Sequence, residues 1–433
     1  MAGLAVGLLP LAAEAQSTEP LLPLPAAPIG PQAPAAPGQP TYAGQTVTQR
    51  PRPDYDPIGL RVGDFFWFPH GEVDEAFNSN IFALQSPTSD FITVLQPGFD
   101  LLSSLPRNAF NLHGGAAAQF YARDPTQNTA TGFVSADGRL DVDAQSGFFG
   151  NAQLAHQYIP RTSPNSPGNA AEPVTYNSYL AGFGYQQSGL RLGYEADFGV
   201  SGAQYNAVPL VGGGLLPQSS GDTIIPQAAL RVSYEFIPDY RAYVRATGSV
   251  YTYPNTFPGS VSFDSTVYRV DVGLQILPRH LISGEVYIGY LSQSFHTSGL
   301  GSTSAPDAGG RLVWNVTQLT TLNFNAIRAF QSSNPTVSGT GAGYLQSVVA
   351  ASVDHELRHN ILLNAGAGYE NDSYQGISRS DNVFSAGASV RYLLNRNLYV
   401  AGSYSYQQRT SSGIAATNPY SQSIVLLRLG AQF

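Results

Sequence analysis

The sequence predicts an all-β fold: a closed, up-and-down, antiparallel transmembrane β-barrel of about 18 strands (16–18). Three observations predict it. Strand-length segments keep nearly all their charge on one parity and their apolar side chains on the other, as strands with a different solvent on each face require. The joints between segments alternate short and long. The composition is poor in charge, yet no stretch of some 18 apolar residues provides a membrane-spanning helix.

Charged residues make up 12% of the 433, about half the usual share. Gly (45), Tyr (25) and Phe (22) are abundant, and the mean hydropathy is −0.10. This balance fits strands that are polar on one side and apolar on the other better than it fits a soluble enzyme. All 21 basic residues are Arg, and the net charge of −8 argues against nucleic acid, which needs a basic patch. With Cys at 0, thiolate metal sites and disulfides are excluded.

In chain order, residues 1–15 read as a signal peptide: Leu4 to Ala13 is apolar and Ala13-Glu14-Ala15 is an A-x-A site. A basic start is missing, since the first Arg is Arg50, and the beginning reads as trimmed. Residues 16–57 carry Pro at short intervals from Pro20 to Pro40 and read as a disordered leader that builds no core. Residues 58–433 read as the barrel.

Within the barrel, Arg139, Asp141 and Asp143 alternate with Leu140 and Val142. Arg191, Glu195 and Asp197 alternate with Leu192, Tyr194 and Phe198. Arg231 and Glu235 stand between Leu230, Val232 and Tyr234. The pattern continues with Arg241 and Arg245, with Arg269 and Asp271, with Glu285, with Asn323 and Asn325 between Leu322, Phe324 and Ala326, and with Arg391. Arg61 to Phe82 reads as one strand with Pro69 inside it, a residue tolerated at edges and bulges. Short joints fall near Gln187–Gly189, Ile237–Asp239 and Gln318–Leu319; long ones run over Pro160–Thr175 and Gly202–Ile225, rich in Ser, Gly, Pro and Asn. Aromatics near strand ends, among them Tyr158, Tyr176, Phe236, Tyr290, Tyr369 and Tyr404, fit interfacial girdles.

The last stretch, SQSIVLLRLGAQF, puts Val425, Leu427, Leu429 and Phe433 on one face and Arg428 on the other. A final strand must find a partner or leave a raw edge, so it closes the ring. It resembles the terminal strand of bacterial outer-membrane β-barrels, where a C-terminal Phe recurs. The opening, YDPIGLRVGDFFWFP with FNSNIF and SDFITVLQPG, resembles the type 2 β-barrel porin family. In FNSNIF, Phe77-Asn78-Ser79-Asn80 departs from that family's Tyr-Asp-Asp-Asn turn, but Asn78 and Asn80 keep its turn chemistry. The resemblance implies the outer membrane of a Gram-negative bacterium, a periplasmic N-terminus, periplasmic short turns, external long loops and a link to exopolysaccharide export. The partners expected are outer-membrane lipid and lipopolysaccharide, the barrel-assembly machinery through the C-terminal strand, and polysaccharide; lipid-facing apolar strands leave room for packing into a homotrimer, although the sequence does not fix the oligomeric state.

A charge on the lipid face would cost about 2–4 kcal/mol at mid-membrane, so the charged parity is expected to face a lumen. The expected lining is Arg139, Asp141, Asp143, Arg191, Glu195, Asp197, Arg231, Glu235, Arg241, Arg245, Arg269, Asp271, Glu285 and Arg391, with Tyr121, Tyr243 and Tyr287. These residues can filter solutes or brace the wall as Arg–carboxylate pairs. No H-E-x-x-H, G-x-S-x-G or phosphate-loop pattern appears, so no catalytic residue, metal or cofactor is expected. Two functions remain: a passive water-filled pore, or a structural or adhesive barrel closed by its external loops.

Overall fold

A computed structural model describes residues 45–188, 191–256, 261–337 and 341–433. The expected signal peptide and the leader up to residue 44 lie outside the described residues. Eighteen long antiparallel strands form one closed ring. In chain order they are β1 (Phe65–Asn78), β2 (Asp90–Ser103), β3 (Ala109–Tyr121), β4 (Thr129–Asp141), β5 (Ser146–Tyr158), β6 (Thr175–Gln187), β7 (Leu192–Tyr205), β8 (Thr223–Ile237) and β9 (Tyr240–Tyr251). There follow β10 (Ser265–Ile276), β11 (Ile282–Phe295), β12 (Ser302–Thr317), β13 (Thr320–Ser332), β14 (Gly343–Arg358), β15 (Ile361–Tyr374), β16 (Ser380–Leu393), β17 (Leu398–Ser412) and β18 (Tyr420–Gln432). Each pairs with its neighbours in sequence, and no α-helix occurs among the described residues.

Exposure is inverted relative to a water-soluble protein. Along β8, Leu230, Val232 and Tyr234 are 52%, 38% and 47% exposed, while Arg231, Ser233 and Glu235 between them are partly covered. On β7, Glu195 pairs with Arg231 and Phe198 with Ala228, so the acids and the apolar residues stand on opposite faces. Asp74, Asp271, Asp307, Glu356 and Arg428 are buried, whereas Phe183, Ile288 and Val349 are exposed. The outer face is built for hydrocarbon and the inner face for water.

Closure joins β18 to β1, from His70↔Gln432 to Asn78↔Ile424. The Phe433 N–H donates to the Pro69 carbonyl at 3.1 Å. Beyond the chain's end, a three-residue strand, Leu60–Val62, folds back on Phe65–Trp67 and covers what β18 does not reach. Arg61 therefore belongs to this short return strand and not to β1. Inside the seam, Arg428 grips Asp74 bidentately at 2.8 and 2.7 Å and reaches Glu72 at 2.8 Å. The Tyr399 hydroxyl donates to Glu72. Asn80, buried in the following loop, bonds Ser421 and Leu84 and fastens the top of the seam.

The long loops all leave one end and the short turns the other, where Phe433 and the first described residues also lie. At the turn between β8 and β9, Asp239 has φ +69°, a left-handed conformation that Asp tolerates. Among the expected girdle aromatics, Phe236, Tyr290, Tyr369 and Tyr404 are exposed on the outer face, but Tyr176 is buried with Ile159, Val174 and Val208 beneath the β5–β6 loop.

Of the joints between the long strands, that between β12 and β13 has the shortest ladder among the described residues. Their ladder runs from Thr317↔Thr320 to Gly310↔Ala326 and stops, although β12 continues to Ser302 and β13 to Ser332.

Removing the buried cation at the seam leaves two acids uncompensated. Arg428→Met is expected to cost roughly 3–5 kcal/mol. The check is the temperature at which the folded barrel loses its compact mobility in detergent electrophoresis; an unchanged temperature contradicts this account of closure.

Candidate functional site: the lumen

The inner face of β7 to β12 carries a row of ion pairs set by register. Glu195, Arg231, Arg245 and Asp271 lie opposite one another on successive strands. Arg245 donates to the fully buried Asp271 at 2.9 Å, and Arg269 bridges Asp271 at 3.1 Å and Asp307 at 2.6 Å. Arg231 meets Glu285 at 3.2 Å, and Arg241 meets Glu235 at 3.1 Å. The Tyr243 ring lies 3.8 Å from the Arg231 guanidinium carbon, and the Tyr287 hydroxyl accepts from Arg269 at 2.7 Å. Cations over aromatic faces and charge-assisted hydrogen bonds rigidify this wall.

A cavity of about 160 Å³ opens on this wall. Its charged lining is Arg245, Arg269, Arg311 and Arg328 against the single acid Glu285. Arg311 is exposed into it and has no ion-pair partner among the described residues. Glu195 and Asp197 lie on the same inner face but outside this lining, and no ion pair holds either among the described residues.

Two long loops converge at the loop end. The β5–β6 loop crosses the mouth: Asn165 exchanges hydrogen bonds with the Ser332 carbonyl and the Asn334 N–H, at 3.2 and 3.0 Å. The Thr162 carbonyl accepts from Arg409 and Tyr420 on β17 and β18. From the β7–β8 loop the fully buried Gln218 accepts from Asn334 at 2.7 Å and Thr336 at 2.6 Å. Strands 5 and 13 stand far apart around the ring, so these contacts span the mouth.

The turn end is narrowed as well. Residues 45–57, expected within the disordered leader, are ordered here. Arg52 is buried and meets Glu356 at 2.9 Å, the Val47 N–H donates to Thr321 at 3.0 Å, and Arg396 holds the Pro53 carbonyl. Burial pushes the Asp56 carboxyl up, against the lowering effect of the Arg52 N–H. The buried acid at the end of β14 attracts this short piece of chain.

Most of the expected lining residues lie on the inner face. Arg139 and Asp141 pair at 2.6 Å, Tyr121 packs beside Ala76, Ile92 and Leu426, and Arg391 lies 5.0 Å from the Tyr399 ring. Two do not belong there. Asp143 lies in the exposed turn after β4, where its carboxylate accepts from the Gln145 and Ser146 N–H groups and is held below the usual range by them. Arg191 is exposed in the turn before β7. Both strands end a residue or more before the alternation does. The sequence reading puts Arg428 on the polar face of its strand but not among the lining, and it misses Asp74, Glu72, Asp307, Glu356 and Arg311; each shares the inner parity of its strand, and that periodicity is the available signal.

A closed ring of eighteen such strands, apolar outside and charged within, defines an outer-membrane β-barrel of the porin class. Residues 52–433 match the family described as "Putative beta-barrel porin 2", and the chain belongs to that family. No curated protein matches the chain. Among solved structures, the chain is similar to the Pseudomonas aeruginosa outer membrane protein OpdK, with 9% identity over 85% of this chain and 99% of that one and a TM-score of 0.43. It is also similar to Acinetobacter baumannii OccAB3, with 11% identity, 86% and 100% coverage and a TM-score of 0.44. For P. aeruginosa OccK2 (OpdF), solved in complex with glucuronate, the figures are 9%, 87% and 100%, and 0.46.

The ordered segment at the turn end generates a direct test. Glu356→Ala should release it and expose the Tyr55–Asp56 bond to chymotrypsin in the folded barrel, whereas the unaltered protein stays uncut there; equal cutting of both contradicts the anchor.

Proposed function

We propose that this barrel is a gated, passive pore for small anionic solutes, with its N-terminus and short turns in the periplasm. The observation that carries this reading is the cavity lining, four arginines to one acid, with Arg311 unpaired beside it. Most other lumenal charges neutralise one another as braces, and Glu195 and Asp197 lie outside this lining, so the free guanidinium in the cavity favours an anion there. The loops that meet at Asn334 act as the gate: their hydrogen bonds are individually worth only about 0.5–1.5 kcal/mol, so opening is thermally accessible. Localisation in the outer membrane of a Gram-negative cell, with lipid and lipopolysaccharide around the exposed apolar band, goes with this reading. So do insertion by the assembly machinery through β18 and packing into homotrimers. No step of bond-making chemistry is invoked.

A structural or adhesive barrel is the second reading, favoured by the interlocked loops over the mouth. Export of exopolysaccharide, which the family resemblance implied, has no observation on its side: a polymer needs a wide continuous path, and the loops cross it.

In planar bilayers the purified barrel should show discrete conductance steps with a reversal potential on the anion side in a salt gradient. Deleting residues 162–168 should raise the open fraction, and Arg311→Glu should move the reversal potential toward cations. Silence of the loop-deleted protein would remove the pore reading and leave the structural one.

A further inference from the structure

The unzipped upper half of the β12–β13 joint is more than a frayed edge. Beyond Ala326, β13 bends inward beneath β12. Phe330 and Leu345 have the parity of the lipid-facing Phe324 and Val349, yet both are buried against Leu291 and Ala305, which stand on the inner face. Leu291 is fixed as inward by its pairing with Arg269. Ser302 to Gly309 thus pair with β11 alone. Pro306 lies on this bare edge, and its carbonyl accepts from Arg328 across the gap at 2.9 Å.

On the outer side of the same joint is a groove of about 410 Å³, within the span of small-ligand pockets of about 300–1,000 Å³. Its floor is Gly309, Gly310, Ala326 and Ala351, and Phe324 and Tyr369 are among its walls. The arginine-lined cavity and this apolar groove share Gly310, Asn325 and Ala326. The last zipped pair of the ladder is therefore the partition between lumen and membrane.

We propose that this joint is a lateral port that binds a single-chain anionic amphiphile, an alkyl carboxylate, with its head among Arg311 and Arg328 and its tail in the outer groove. Charge complementarity fixes the head: the lumenal side offers guanidiniums, of which Arg311 lacks a carboxylate partner among the described residues. The groove fixes the tail: it faces hydrocarbon, and its glycine and alanine floor admits one chain. Arg328 latches the closed joint through Pro306 and is positioned to exchange that carbonyl for the carboxylate.

The test uses the full chain refolded into phosphatidylcholine vesicles, with 11-(dansylamino)undecanoate as the probe. Binding should saturate, and dodecanoate should displace the probe while butyrate and dodecanol should not. Arg311→Ala should weaken binding about 10-fold or more, as loss of a charge-assisted contact does, and Arg311→Lys should restore most of it. Ala326→Trp, or Ala351→Leu if the first fails the heat-modifiability check for folding, should weaken binding by blocking the groove, and Leu154→Trp on the exposed far wall should not. Binding that neither the Arg311 nor the groove variants alter would overturn the port. Displacement by butyrate alone would place the anion in the lumen with no tail outside, and displacement by phosphatidylglycerol in the vesicles would make the occupant a two-chain lipid; either result overturns the proposal. The readout is binding rather than current, so a barrel that conducts without binding the probe rejects only this inference, and one that binds without conducting rejects only the pore.

Discussion

Every backbone N–H and C=O that crosses hydrocarbon needs a partner inside the protein, because no water is there to supply one. That constraint makes this chain a ring. It places β18 against β1 and adds the short return strand Leu60–Val62 where β18 runs out. It also bears on the shape of the joint with the shortest ladder, β12–β13. β13 does not leave its edge beside β12 in lipid; it curls inside, where Phe330 packs with Leu291, Ala305 and Leu345.

Inside the ring the second constraint is the cost of removing charge from water. Among the most deeply buried carboxylates, Asp74, Asp271, Glu356 and Asp381 each have an arginine within hydrogen-bonding distance, while Asp90 accepts backbone N–H groups of Phe91, Arg123 and Asp124. These pairs fix register rather than add much net stability, since desolvation offsets most of their attraction. A ring of this size is too wide for side chains to fill. Chain from both ends narrows it: the β5–β6 and β7–β8 loops above, residues 45–57 below. Function then rests on the few charges that remain unpaired.

The barrel was legible because a period of two repeats along every strand, and each repetition tests the same hypothesis. The strand count, the alternation of joint lengths and the closing role of Phe433 all follow from it. The departures have physical causes. Asp143 and Arg191 keep the right parity but lie past the strand ends, where a turn has no face. Arg328 continues the series Leu322, Phe324, Ala326 with a charge on the apolar side, and the wall opens there; the conflict was visible in the sequence, but its resolution by bending inward was not. The loop plug could not be read at all, since Asn165 and Asn334 are separated by 169 residues and each looks like ordinary loop polarity. The ordered stretch around Arg52 depends likewise on an acid, Glu356, 304 residues away.

The central claim is that neighbouring residues on one strand meet different solvents. The chain has no cysteine, so single cysteines can be introduced without background at positions 230 to 235 of β8. In refolded vesicles, positions 231, 233 and 235 should react with a water-soluble, membrane-impermeant maleimide. A label at 230, 232 or 234 should instead be quenched by a lipid-attached quencher. Strict alternation of the two signals is the predicted result; uniform reactivity along the strand would contradict the account.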